Sequence, residues 1–259
     1  MGNDNKHHMT TMKRTTINGE FEIVLPVHRA ERPEWFTENG WEKKRLKKMH
    51  KEIKKGDVVY YVGVELGEMA ALCQMWGAEV ALFEPNYMAW PVIRAIWGAN
   101  RLKKPLYIFA GFVSNKTQEI PTNPDKALFG GEGFIIDSNS GWPRYADAEI
   151  IKAHGFSELD KEADGLPQAK IDYLVFEKGL KPPSFLTFDC EGSEFEILRG
   201  AEETINKYKP KILASIHPEF LFAQYHEYSR NLRDWIIDHG YEETILDYQH
   251  ELHTYYEPI

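Results

Sequence analysis

The sequence predicts an α/β protein built on a doubly wound, mostly parallel sheet. Short β-rich runs alternate with helical patterns between residues 58 and 109. The first run, Val58-Val59-Tyr60-Tyr61-Val62, has no polar break, as expected of a strand covered on both faces. Strand-then-helix order returns at residues 184–207. Such βαβ alternation implies parallel strands joined by right-handed crossovers.

Each element follows in order. Residues 1–16 are polar, lack the apolar core of a signal peptide, and read as disordered. Residues 21–25 read as an edge strand and 32–34 as a loop. Residues 1–40 thus form a partly disordered N-terminal extension to a domain over 41–259. From 41 to 55 Lys and Arg are dense, while Leu46, Met49 and Ile53 recur at i, i+3 and i+7. That spacing predicts an amphipathic helix with its charged face in water. Strand 58–62, turn 63–67 and a helix over 68–76 ended by Gly77 come next. Strand 79–83 closes at Glu84-Pro85, helix 87–97 stops at Gly98, and 105–109 is a third strand. Residues 111–145 lack periodicity and contain Gly130-Gly131-Glu132-Gly133; so long a connection is functional or mobile. Helix 170–179, strand 184–188, helix 194–207, strand 211–216 and helix 231–239 complete the pattern, and 241–258 alternates like two strands.

Composition narrows the function. A net charge of −9 over 259 residues disfavours a nucleic-acid binder that relies on phosphate neutralisation. No apolar run approaches the ~20 residues needed to span a bilayer. Two cysteines, Cys73 and Cys190, form no disulfide framework or zinc pattern, so a reducing cytoplasm is the expected setting.

The richest stretch chemically is Asp189-Cys190-Glu191-Gly192-Ser193-Glu194, with three carboxylates at a strand-to-helix junction. Ligands of open α/β sheets bind at the carboxyl ends of strands. A second half-site lies at Gly63-x-x-x-Gly67, where glycines admit close approach of a ligand. Glu84 ends the following strand, placed to accept the hydroxyls of an adenosine ribose. The turn is not the G-x-G-x-x-G of dinucleotide enzymes, which disfavours a dinucleotide oxidoreductase. Glu65 stands where a pyrophosphate would have to pass and would repel it. A cationic cofactor without phosphate, S-adenosylmethionine, suits the turn better.

Taken together, the Gly63–Gly67 turn, Phe83-Glu84-Pro85 and the acidic turn resemble the FkbM-type S-adenosylmethionine-dependent methyltransferases. That family carries D-V-G-A-N-x-G, F-E-P, T-L-D-x-L and D-x-E-G-x-E-x-x-x-L-x-G-A. Residues 189–201 match the last closely, Lys170-Ile171-Asp172-Tyr173-Leu174 matches the third in part, and 209–218 resembles the strand that follows. Tyr61 stands for the motif-opening aspartate and Glu65 for its asparagine. The resemblance implies a Rossmann-like class I methyltransferase sheet with an antiparallel C-terminal hairpin. It places cofactor contacts at Gly63, Glu65, Gly67, Glu84, Asp189 and Phe112.

The reaction implied is O-methyl transfer to a hydroxyl of a sugar, glycan or other small molecule. Asp189, Glu191 and His217 are the candidate catalytic residues, with Asp189 or His217 as base or orienter. Glu194, Glu251 and His253 are candidate acceptor contacts. Asp189 and His217 are candidate ligands for a divalent cation that lowers the pKa of the acceptor. Trp142, Tyr145, Tyr255 and Tyr256 offer a sugar platform. Because Tyr61 and Glu65 depart from the family pattern, a non-catalytic cofactor-binding or scaffold protein is the competing reading.

Overall fold

The described residues begin with a hairpin. Strand β1 (Met12–Ile17) pairs antiparallel with β2 (Phe21–Pro26) around the positive-φ pair Asn18-Gly19. The computed structural model describes residues 11–38, 40–86, 88–117, 134–136, 143–145, 168–248 and 251–259. Residues 12–16, expected to be disordered, are therefore a strand. The outward Lys13 and Arg14 mask a pattern whose inward members, Ile17, Phe21, Ile23 and Leu25, are buried. Helix α1 (Val27–Ala30) and a short 3-10 turn, Pro33–Phe36, follow and bury Trp35.

Helix α2 (Lys43–Glu52) buries Leu46 and Met49 as the spacing predicts, and Arg45 with them. Then come β3 (Val58–Val62), α3 (Glu68–Met75), β4 (Glu79–Phe83), α4 (Ala89–Ala99) and β5 (Tyr107–Phe109). Gly98 lies inside α4 rather than ending it, and Tyr87, its expected first residue, lies outside the described residues. Two small pairings lie beside this framework: β6 (Phe112–Val113) with β9 (Gln168–Ala169), and β7 (Phe134–Ile136) with β8 (Pro143–Tyr145). The glycine-rich 130–133 stretch lies outside the described residues.

The second half runs β10 (Phe185–Asp189), α5 (Glu194–Arg199), α6 (Glu202–Tyr208), β11 (Lys211–Ile216), α7 (Pro218–Tyr225), α8 (Ser229–Asp238), β12 (Tyr241–Tyr248) and β13 (Leu252–Pro258). The helix expected over 170–179 is a π-helical turn at Tyr173–Glu177. That expected over 194–207 splits at Gly200. A Cβ there would lie 2.1 Å from the Ser114 carbonyl oxygen, so another stretch of backbone occupies the space a side chain would need.

The sheet order is β12-β13-β11-β10-β3-β4-β5. The strands from β11 to β5 are parallel, and β13 runs antiparallel to both β11 and β12. Strand alternation splits the core in two. Val59 and Tyr61 face the N-terminal hairpin, α3 and α4, whereas Val58, Tyr60 and Val62 face the side of Ile197, Ile205 and Ile236. The chain crosses from β5 back to β10, on the other side of β3. The topological switch point therefore lies between the carboxyl ends of β3 and β10, where ligands of open sheets bind. Antiparallel β13 starts at that same end.

Candidate functional site

Four strand ends meet there. Asp189 ends β10, His217 follows β11, the Gly63 turn follows β3, and Glu251 immediately precedes β13. Gly63 has φ +76, and a Cβ on it would sit 1.9 Å from the Asp189 carbonyl oxygen. Only glycine lets the turn lie this close to the acidic strand end.

His217 is the hub. Its Nδ1 lies 2.7 Å from Glu194 Oε1, and its Nε2 lies 2.6 Å from Glu251 Oε2 and 3.6 Å from Asp189 Oδ1. Glu194 also accepts the Gly192 N–H at 3.1 Å. Behind these, Glu251 Oε1 is 3.4 Å from His253 Nε2, and His253 Nδ1 meets the Ser215 hydroxyl at 3.0 Å. Register explains the last contact, since Ser215 and His253 are cross-strand partners.

On the other flank stands Arg45. It donates to Asp189 Oδ2 at 2.7 Å, to the Tyr61 hydroxyl at 3.1 Å and to Glu42. Its side chain is 2% exposed, that of Glu42 1%, Glu194 0% and Glu251 3%, whereas Asp189 keeps 24%. Asp189 is thus the one carboxylate of this cluster with an appreciable exposed edge.

Burial and charge set the proton affinities. Burial alone would lower the pKa of His217, but its bonds to Glu194 and Glu251 and the charge of Asp189 push it up to about 10. Burial raises Asp189 above the ordinary carboxylate range against the pull of Arg45. Burial pushes Glu42 up to about 7 despite Arg45. Glu251 is held down at about 2 because His217, His253 and Arg45 outweigh its burial.

Both ring nitrogens of His217 face carboxylates, an arrangement that favours its protonated form, whereas Asp189 keeps an exposed edge. Glu191 (φ +44) is exposed; its carbonyl accepts from Gln224, and its carboxylate stands outside the cluster. Glu194, Glu251 and His253, expected to touch the acceptor, are buried behind His217 and Asp189 and support them instead. Tyr255 and Tyr256 are core residues rather than a sugar platform. Trp142 lies outside the described residues. The ligand atoms of Asp189, His217 and Glu251 lie within 4.8 Å of one another, a donor set of the kind divalent ions use.

Of the expected cofactor residues, Gly63, Glu65 and Gly67 follow β3 and Glu84 follows β4. Glu84 is 6% exposed, and its two oxygens accept the N–H groups of Glu65 (2.8 Å) and Asn86 (2.7 Å). Burial pushes its pKa up to about 7 against those bonds. Gly67 has φ +97 and immediately precedes α3. Phe112 is half-buried in β6. Glu65 meets Arg29 at 3.3 Å, and Arg29 also binds buried Glu68.

Arg45 sits in a segment read as a solvated basic helix, and Arg29 lies between the 21–25 strand and the 32–34 loop, where no pattern drew attention to it. For Arg45 a signal existed: Glu42 and Arg45, spaced i, i+3, lie on the same stripe as Leu46 and Met49. A charged pair on an apolar face marks a buried ion pair rather than a solvated surface.

The sequence profile of the FkbM methyltransferase domain matches residues 57–243. Among solved structures, methyltransferase FkbM from Methylobacillus flagellatus KT is 16% identical with a TM-score of 0.46, covering 78% of this chain and 43% of that one. The chain thus spans less than half the length of that protein. TYW2 from M. jannaschii, solved in complex with AdoMet, is 10% identical with a TM-score of 0.43, over 96% of this chain and 87% of that one. Precorrin-6y C5,15-methyltransferase from Geobacter metallireducens GS-15 is 8% identical with a TM-score of 0.42, over 83% and 86%. No curated protein matches the chain. The profile spans well over half the chain and takes in the glycine turn, Glu84, Asp189 and His217; on that ground the protein belongs to the FkbM methyltransferase family.

Proposed function

We propose that the protein transfers a methyl group from S-adenosylmethionine to a hydroxyl of a sugar, glycan or other small molecule, with Asp189 as the base. The residues present suit the cofactor. Glu84 is a buried carboxylate at a strand end with lone pairs left for ribose hydroxyls. Gly63 and Gly67 keep the turn free of side chains, and Glu65 with Arg29 offers opposite charges to an amino-acid end. When bound, the cofactor supplies an electrophilic sulfonium methyl.

Asp189 carries the reading, since it is the one cluster carboxylate with an open face. Arg45 and His217 grip its two oxygens from opposite sides and so fix its orientation. An acceptor hydroxyl placed against it would pass its proton to the carboxylate as its C–O bond formed and the methyl–sulfur bond of the cofactor broke, with S-adenosylhomocysteine as the leaving product. Its raised pKa brings it closer to the operating pH, which favours proton acceptance in the transition state. The positive charge that a divalent ion would bring is already supplied by Arg45 and protonated His217, so the proposed chemistry needs no metal.

The test has two parts. Calorimetry with S-adenosylmethionine and S-adenosylhomocysteine should show binding by the wild type that is lost in Glu84→Ala. Methyl-labelled cofactor is then offered with panels of sugars, polyols and amines. Label should appear on a hydroxyl, and Asp189→Asn should keep cofactor binding while transfer falls by about 10²–10⁴-fold. Label on amines alone, or full transfer by Asp189→Asn, would overturn the assignment. A folded protein that binds neither ligand would return the scaffold reading.

A further inference from the structure

We propose that Arg29, carried in by the N-terminal hairpin, recognises the α-carboxylate of the cofactor, leaving Glu65 for its ammonium. This rests on the proposed use of S-adenosylmethionine. The amino-acid end of that molecule is a zwitterion, and in a partly desolvated cleft each charge needs a partner of opposite sign.

Two buried arginines reach the carboxyl edge of the sheet. Arg45 is unsuited, because Glu42, Asp189 and Tyr61 occupy it and only 2% of its side chain is exposed. Arg29 is bound differently. Its Nε donates to Glu68 and its Nη2 to Glu65 at 3.3 Å, while Nη1 has no hydrogen-bond partner among the described residues. A guanidinium presents its donors as a planar fork suited to a carboxylate, and this one keeps part of its fork unused.

The location fits as well. Trp35 fixes the segment by donating its indole N–H to the Arg29 carbonyl, and the Arg29 guanidinium stands 5.9 Å from the Trp35 ring. Glu65 lies in the turn between the two anchor points proposed for the cofactor. Its N–H binds the carboxylate of Glu84, and its own carboxylate, 56% exposed, faces Arg29. It holds φ +53, a conformation uncommon for a residue with a Cβ, which persists where the surroundings over-determine it. One residue thereby links the proposed ribose acid to Arg29. Neutralising buried Glu68 would explain the contact at Nε alone.

The test compares two ligands that differ in the amino-acid end. Full-length wild type, Arg29→Lys and Arg29→Gln/Glu68→Gln are titrated calorimetrically with S-adenosylhomocysteine and with 5′-methylthioadenosine, which lacks that end. The lysine variant keeps a cation beside Glu68, and the double variant removes both buried charges, so at least one fold is preserved. For both variants S-adenosylhomocysteine should bind about 10–100-fold more weakly, the loss of a charge-assisted pair. Binding of 5′-methylthioadenosine should stay within about twofold. Equal weakening of both ligands would show a merely structural Arg29, and no weakening of either would remove it from the site. A wild type that binds neither ligand would overturn the cofactor reading itself, and this inference with it.

Discussion

Replacing Arg45 by methionine removes the cation from the most acidic part of the molecule while filling much of its volume. In the wild type Arg45 binds Glu42, Asp189 and Tyr61, with both Glu42 and Arg45 almost fully buried. Breaking a buried pair from one side leaves an uncompensated charge, which costs about 3–5 kcal/mol. A domain stable by about 5–15 kcal/mol would remain folded under mild conditions, with much of its margin gone. The loss should also depend on pH. Glu42 and Asp189 already have raised pKa values with Arg45 present, and without it they rise further. Groups that bind protons more tightly in the native state make stability fall as pH rises. Urea unfolding followed by tryptophan fluorescence at pH 5.5 and pH 8 would measure both effects. The deficit of Arg45→Met should be largest at pH 8 and shrink toward pH 5.5 as the carboxylates protonate. Glu42→Gln/Arg45→Met should recover part of it at pH 8. A deficit under about 1 kcal/mol at pH 8, the level of an exposed pair, would refute the buried-cation reasoning.

Three further outcomes are expected. The native pKa of His217 is about 10 against about 6.5 when unfolded, so its stabilisation is complete below about pH 6.5 and disappears as pH climbs through about 10. Wild-type stability should fall by about 2–4 kcal/mol across that window once solvent screening is allowed for, and His217→Gln should flatten the slope; parallel slopes would sink this assignment. Gly63→Ala drives a Cβ to 1.9 Å from the Asp189 carbonyl and should cost more than about 3 kcal/mol or abolish soluble expression. Gly98→Ala, inside α4 with open space around it, should instead stabilise by about 0.5–1 kcal/mol. Thermal melts of the two variants would separate these outcomes.

The central fold was legible because its strands advertise themselves. Residues 58–62 and 79–83 are strands over the residues expected, each an apolar run punctuated by Gly, Asp or Pro. The hairpin at Met12–Pro26 was only half visible, since β1 runs Lys13-Arg14-Thr15-Thr16 between its apolar ends and so shows no apolar alternation. Helix α7 went unread because its apolar residues do not gather on one face: Leu221 is buried, whereas Phe220, Phe222 and Tyr225 are all exposed. Within the site, Asp189, His217, Glu251 and His253 could be picked out because each stands at or beside a strand end. What periodicity cannot supply is the sign of burial for a charge. Arg45 looked like one more member of a solvated basic run, yet it is the member turned inward. Glu194 and Glu251 looked like ligand contacts, yet they support His217 from below.

Arg45 and Asp189, in direct contact, are 144 residues apart in the chain, and the cluster is closed by Glu251, just before β13, and His253 within it. This spread has a consequence for synthesis. A nascent chain on the ribosome makes the acidic turn and His217 well before it makes the carboxylate that grips His217 from the other side. Until β13 emerges and docks along β11, the imidazole lacks one of the two carboxylates that bind its nitrogens. Charge order at the site therefore waits until β13 has been made, after every other member of the cluster. The chemistry proposed for Asp189 becomes available only to chains that have been read through to their closing hairpin.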